Sequence, residues 1–109
     1  MRIYLPIVTW GPDSMPEMRF VIRWPDGEEV SCYSPSLVIK DYLAPGASYG
    51  LSDFVDRSRI ALGIASERVR AKYGVPCSRA LGQLRDIEIR AADFTSHPAP
   101  RITCTAFIE

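Results

Sequence analysis

Histidine is nearly absent from this chain: His97 is the only one in 109 residues. A metal centre built on several imidazoles is therefore excluded, and a Cys–His catalytic pair has one histidine to draw on, in a proline-flanked loop. Cysteine is scarce as well. Cys32, Cys77 and Cys104 are odd in number and lack C-x-x-C spacing. No disulfide framework and no zinc site is expected, and free thiols suit a reducing cytosol. Lysine is limited to Lys40 and Lys72, and the other cations are arginines. An excess of either charge is missing too, because 13 basic residues balance 13 acidic ones. That removes a general attraction to nucleic acid or to an anionic membrane. No stretch approaches the roughly 20 apolar residues that span a bilayer. The apolar stretch near the start is short and broken by Pro6, which makes a poor signal peptide. P-loop, G-x-G-x-x-G and G-x-S-x-G patterns are all missing. A cytoplasmic protein with no metal and no cofactor is expected.

What is present reads as one globular domain. The hydrophobic fraction is 47% and the charged fraction 24%, ordinary values for a chain that buries a single core. Residues 1–14 stand apart as an extension or extra strand ending in Gly11-Pro12-Asp13-Ser14, with Met15 and Met18 as alternative starts; residues 15–109 form the domain. Met18, Phe20, Ile22 and Trp24 alternate with polar residues, Pro25-Asp26-Gly27 makes a turn, and Val30, Cys32 and Ser34 return. This is a hairpin. Ser34-Pro35 reads as the start of a short helix burying Leu37, Val38, Tyr42 and Leu43.

Ser52 reads as the cap of a long helix that runs to Tyr73 and stops at Gly74. Its apolar arc is wide: Phe54, Ser58, Ala61, Leu62, Ala65, Val69 and Tyr73, broadened by Ile60, Ile64 and Ala71. Ser66 falls on the polar side. Such a helix sits centrally in a fold or across an interface. Ser78 reads as the cap of a second long helix burying Ala80, Leu81, Leu84, Ile87, Ala91 and Phe94, with Ile89 pointing outward and Asp86 and Arg90 paired at i, i+4. Ile102, Cys104, Ala106 and Ile108 alternate as a final strand. The expected fold is α+β: a small antiparallel sheet of hairpin plus C-terminal strand, packed against two long helices and one short helix.

Candidate chemistry is sparse, and no catalytic residue is nominated. Cys77 precedes the second long helix, where a thiolate is favoured; a buried structural thiol is the simpler reading. The carboxylate pairs Glu28/Glu29, Asp53/Asp56 and Asp86/Glu88 fall on turns or solvated faces. Gly63 and Gly82 lie inside helices, where glycine costs about 1 kcal/mol relative to alanine. Close packing against a neighbouring element is the simplest reason, and a ligand lying against them is the sharper one. Arg57 and Arg68 project about 20° apart on the long helix, with Lys72 about 40° further round. They either bind an anion or a partner's acids, or lay their stems along the core edge and pair with carboxylates. Tyr33, Ser34 and Ser36 surround a strand end and a helix start, an arrangement that caps a helix or holds an anion.

Several uncommon words occur together from Met15 onward: Met15-Pro16-Glu17-Met18, Arg23-Trp24-Pro25-Asp26-Gly27, Cys32-Tyr33-Ser34-Pro35-Ser36, Asp41-Tyr42-Leu43, Asp53-Phe54-Val55, and the run from Ala65 to Gly74 with Cys77-Ser78. They resemble the small bacterial nitrogen-starvation-response proteins encoded in nitrilase gene clusters, over residues 15–94, with the final strand matched loosely. The resemblance implies a physiological context, nitrogen limitation, rather than a reaction. It lends weight to Tyr33, Ser34, Ser36, Arg68, Lys72, Tyr73 and Cys77 as binding positions, to which Arg57 is added from the helical wheel. Three functions remain open. The first is a non-enzymatic accessory protein that binds a protein of the nitrilase cluster or a second copy of itself. The second is a binder of an anionic or nitrogenous metabolite, and the third an enzyme using Cys77. Neither nucleic acid nor membrane is an expected partner.

Overall fold

The computed structural model describes residues 16–109, so the extension or strand expected over 1–14 lies outside the described residues. The elements are β1 (Met18–Arg23), β2 (Glu29–Ser34), a 3₁₀ turn (Leu37–Asp41), β3 (Ser48–Gly50), α1 (Leu51–Tyr73), α2 (Ser78–Ala92) and β4 (Arg101–Ile108). They build an α+β domain. The sheet is antiparallel with strand order β2-β1-β4-β3. Ser48–Gly50 is the strand that the sequence did not announce: three residues in a loop rich in Ala, Pro and Gly carry no alternation of their own. They are held by pairing, Tyr49 with Ile102.

The hairpin forms as the turn chemistry dictates. Gly27 N–H donates to Trp24 C=O at 2.8 Å, and Gly27 adopts φ 91°, a conformation that costs glycine little. The Asp26 carboxylate accepts from Glu28 N–H at 3.0 Å. Arg90 of α2 reaches the same turn and pairs with Asp26, Glu28 and Asp93. The expected Asp86–Arg90 pair is thus replaced: the hairpin offers Arg90 two carboxylates, and Phe94, just past the end of α2, offers an aromatic platform 4.6 Å from its guanidinium.

One face of the sheet carries the core. Phe20, Ile22, Trp24, Cys32, Ile102 and Cys104 are buried against Phe54, Ala61, Leu62, Ile87, Ala91 and Phe94 of the helical layer. Trp24 stacks on Phe94 with centroids 5.8 Å apart and meets Phe54 edge-on at 5.9 Å. The 3₁₀ turn adds Val38 and Ile39, and Ile39 is the residue missed on that segment.

The caps differ from expectation. Ser36 rather than Ser34 caps the 3₁₀ turn, accepting from Val38 N–H. Ser34 Oγ instead donates to Ser36 C=O at 2.7 Å. Gly50 and Cys77 occupy the N-cap positions of α1 and α2, with no side-chain cap bond. Ser52 and Ser78 therefore sit inside their helices. Gly74 ends α1 in the left-handed conformation, as expected.

The final strand shows the largest departure. The register with β1 slips between Val21 and Ile22, which leaves Thr105 as the extra residue on β4. Its hydroxyl donates to Val21 C=O at 3.3 Å. A bulge inverts the faces beyond it. Phe107 now stands opposite Phe20 and packs on the core, whereas Ile108 stands opposite Arg19 and is 53% exposed.

Two outcomes are expected. Phe107→Ala lowers stability by about 2 kcal/mol, while Ile108→Thr changes it by less than about 0.5 kcal/mol; urea denaturation would show the reverse order if the strand alternated without a bulge. The second concerns acid. The Glu28 backbone N–H, and then Arg90, hold the Asp26 carboxyl below its ordinary 3.8. A carboxyl lowered on folding stabilises the native state above its unfolded pKa and loses that contribution as pH falls through its folded pKa. Midpoints measured across acid pH should therefore drop more gently in Asp26→Asn than in the parent below about pH 4.

Candidate functional site

The sequence candidates separate along the helical layer. Arg57 and Lys72 are fifteen positions apart on α1, or about 22 Å along its axis. Arg57 is a strap rather than an open cation. It pairs with Asp53 at 3.1 Å, donates to Tyr42 C=O at 2.8 Å and lies 4.9 Å from the Tyr49 ring centroid, tying the loop before β3 to the helix. Arg68 donates to Ser36 Oγ at 2.8 Å. Ser36 and Ser34 are buried, and both hydroxyls are committed to the turn after β2. Lys72 stands 5.6 Å from the centroid of the Tyr73 ring, which is exposed.

Tyr33, Cys77 and the start of α2 do come together. Tyr33 is on the edge strand β2, and its N–H is accepted by Gln83 Oε1 at 2.9 Å. That bond closes an edge that would otherwise invite pairing. The Tyr33 hydroxyl donates to Glu17 at 3.1 Å, and burial followed by this carboxylate pushes the phenol up to about 12. Arg79 lies over the Tyr33 ring at 3.8 Å, and Arg19, the register partner of Tyr33, at 6.0 Å. Cys77 is half-buried, and its N–H donates to Ser66 Oγ at 3.2 Å. On the helical wheel Ser66 falls on the polar side of α1. It is buried because the chain folds back after Gly74 and needs an acceptor there.

His97 follows the far end of α2, whose fifteen residues separate it from Cys77 by about 22 Å. It is exposed, with its ring 5.1 Å from Phe94. Burial pushes the Cys32 thiol up to about 12 and raises Cys104 too. No group of three or more His, Cys, Asp or Glu able to hold a metal occurs among the described residues. No helix among them is long and apolar enough to cross a membrane.

Two of the grooves beside α2 have a mid-helix glycine in their lining. A Cβ built on Gly63 or Gly82 meets nothing within 4 Å. Close packing, the simpler expectation for both, is therefore not the reason for either. The groove at Gly63 is apolar, about 910 Å³, and runs between α1 and the start of α2 past Ile60, Ile64, Ala71, Pro76 and Leu81. Leu81, expected in the core, is 45% exposed, and Ile60 is 51% exposed. The groove at Gly82 is about 600 Å³ and includes Arg19, Tyr33, Arg79, Gln83 and Arg85. Leu81 lines both. Arg19, Arg79 and Arg85 were not singled out in the sequence, since nothing in their spacing predicts that strand β1 and helix α2 converge.

A family model for the nitrogen starvation-induced protein NitG matches residues 19–107. The chain belongs to this family. Among curated proteins and among solved structures, none matches it. The NitG match takes in both helices and all four strands but for Met18 and Ile108 at its two ends, including β4, which the sequence words matched only loosely. Every candidate residue, from Tyr33 to Cys77, lies inside it.

The cysteines should react in a fixed order. Iodoacetamide applied to the native protein is expected to modify Cys77 alone, with Cys32 and Cys104 reacting only after denaturation; peptide mapping checks this. Labelling of Cys32 in the folded chain would show that β2 opens locally.

Proposed function

We propose that this nitrogen starvation-induced protein is a non-enzymatic accessory factor that binds a protein encoded in a nitrilase gene cluster. The apolar groove across the helical layer is the observation that carries this reading. Ile60, Ile64, Ala71, Pro76 and Leu81 leave an apolar surface around Gly63, and Arg59, Glu67, Arg68 and Arg70 border it. An apolar centre with a charged rim is the build of a protein-binding surface. Among the described residues, no second layer covers the outer side of α1. The nitrogen-starvation context comes from the family, and the nitrilase partner from the resemblance in the sequence.

A small-molecule role has its own support in the arginine-lined groove at Gly82. An enzymatic role for Cys77 has less, because His97 lies beyond the opposite end of α2 and cannot pair with it.

The test is co-expression with each protein of the nitrilase cluster, followed by size-exclusion chromatography with light scattering. One of them is expected to co-elute as a stable complex. Ile60→Asp combined with Ala71→Glu, both exposed positions, should abolish the complex while changing stability by no more than about 1 kcal/mol. Absence of any complex overturns the reading. A dimer of this chain that the same pair of substitutions dissociates would give the face to self-association instead.

A further inference from the structure

Arginine partners reveal a pattern. Arg23, Arg57, Arg59, Arg70 and Arg90 each hold a carboxylate. Arg68 and Arg101 hold serine hydroxyls, Ser36 and Ser48. Among the described residues, three arginines remain with neither: Arg19, Arg79 and Arg85. All three line the same groove, together with Tyr33, Gly82 and Gln83. Arg19 has one long contact, 3.5 Å to Ser31 C=O. A chain that pairs its other arginines so thoroughly leaves three guanidiniums with neither a carboxylate nor a hydroxyl around one concavity.

We infer that this groove is a binding site for a small dianion, a phosphomonoester or a dicarboxylate. The lining sets three guanidiniums against one carboxylate, Asp86, an excess that two negative charges neutralise. Guanidinium presents its donors as a planar fork that matches carboxylate and phosphate oxygens two at a time. Tyr33 positions one of the three: the Arg79 guanidinium carbon lies 3.8 Å from the centre of its ring. The ring is itself held at both ends, by Gln83 on the backbone N–H and by Glu17 on the hydroxyl. Gly82 completes the floor. A Cβ there would meet no protein atom within 4 Å, so the position is kept small by nothing in the fold, and the vacated space opens into the groove. At about 600 Å³ the groove suits a metabolite rather than a polymer.

The site is distinct from the protein-binding face, although Leu81 forms the ridge between the two grooves. Its test can fail without touching that reading.

Isothermal titration calorimetry at low, matched ionic strength uses inorganic phosphate, phosphoserine and succinate as probes, with chloride as the control. Saturable binding of one or more probes is expected. Arg79→Gln combined with Arg85→Gln should weaken it at least tenfold, and Asp86→Asn should strengthen it. Arg23→Gln, which removes an ion-paired arginine on β1, should leave it unchanged. Gly82→Ala is expected to raise the melting temperature, since alanine favours the helix and nothing obstructs the methyl, yet to weaken binding. Preference for succinate over both phosphates assigns a dicarboxylate, and the reverse preference a phosphate ester. No saturable binding of any probe, or equal binding by the Arg79/Arg85 variant, overturns the proposal. So does a Gly82→Ala variant that binds as the parent does.

Discussion

Trp24 stands where the first strand, the hairpin turn and both long helices meet. Its ring stacks on Phe94 past the end of α2 and meets the edge of Phe54 in the first turns of α1. Aromatic contacts of this kind add about 0.5–1.5 kcal/mol each beyond the area they bury. Arg90 closes the cluster from outside, over Phe94 and in ion pairs with Asp26 and Glu28 of the turn that follows Trp24. The end of α2 is thereby fixed to the hairpin. Because α2 is rigid, its start is carried to the edge of β2, where Gln83 meets the Tyr33 N–H and Arg79 covers the Tyr33 ring. Both grooves inherit their shape from this one junction.

Among the described residues, one helical layer packs on one face of a four-stranded sheet. A layer of two helices cannot cover itself, so its outer side keeps Ile60 and Leu81 partly in water. The two glycines inside the helices have a similar meaning. Each costs about 1 kcal/mol of helix stability, and each faces open space rather than a close neighbour. Departures from local helix preference with no packing reason belong at binding surfaces. One groove is apolar and the other cationic, so the two surfaces differ in chemistry within one small fold of a nitrogen starvation-induced family.

Much of this was legible along the chain. Alternation from Met18 to Trp24 with Pro25-Asp26-Gly27 dictated the hairpin, and Gly74 marked the end of α1. Most of the core stripe of each helix was readable because buried helix faces repeat locally, although Tyr73 and Leu81, expected on those stripes, are exposed. The failures share a physical cause. Ser48–Gly50 is a strand only because Ile102 and its neighbours pair with it. Phe107 and Ile108 exchanged faces because one bulged residue, Thr105, shifts the register against β1. Ser66 was buried by a chain reversal that needed its hydroxyl. Arg90 preferred carboxylates of the hairpin over the one a turn away on its own helix. The cationic groove was illegible for the same reason, since its arginines lie on β1 and α2, sixty positions apart in the chain.

The sequence by itself determined the class of fold, the order of its elements apart from Ser48–Gly50, the family and the absence of a multi-histidine metal centre, because these follow from composition, short-range periodicity and local words. Only the tertiary structure decided which arginines are engaged and which are open, which glycines face a groove, and which side of the last strand meets the core. Those properties depend on contacts between segments distant in sequence, and no local pattern encodes which distant group will arrive.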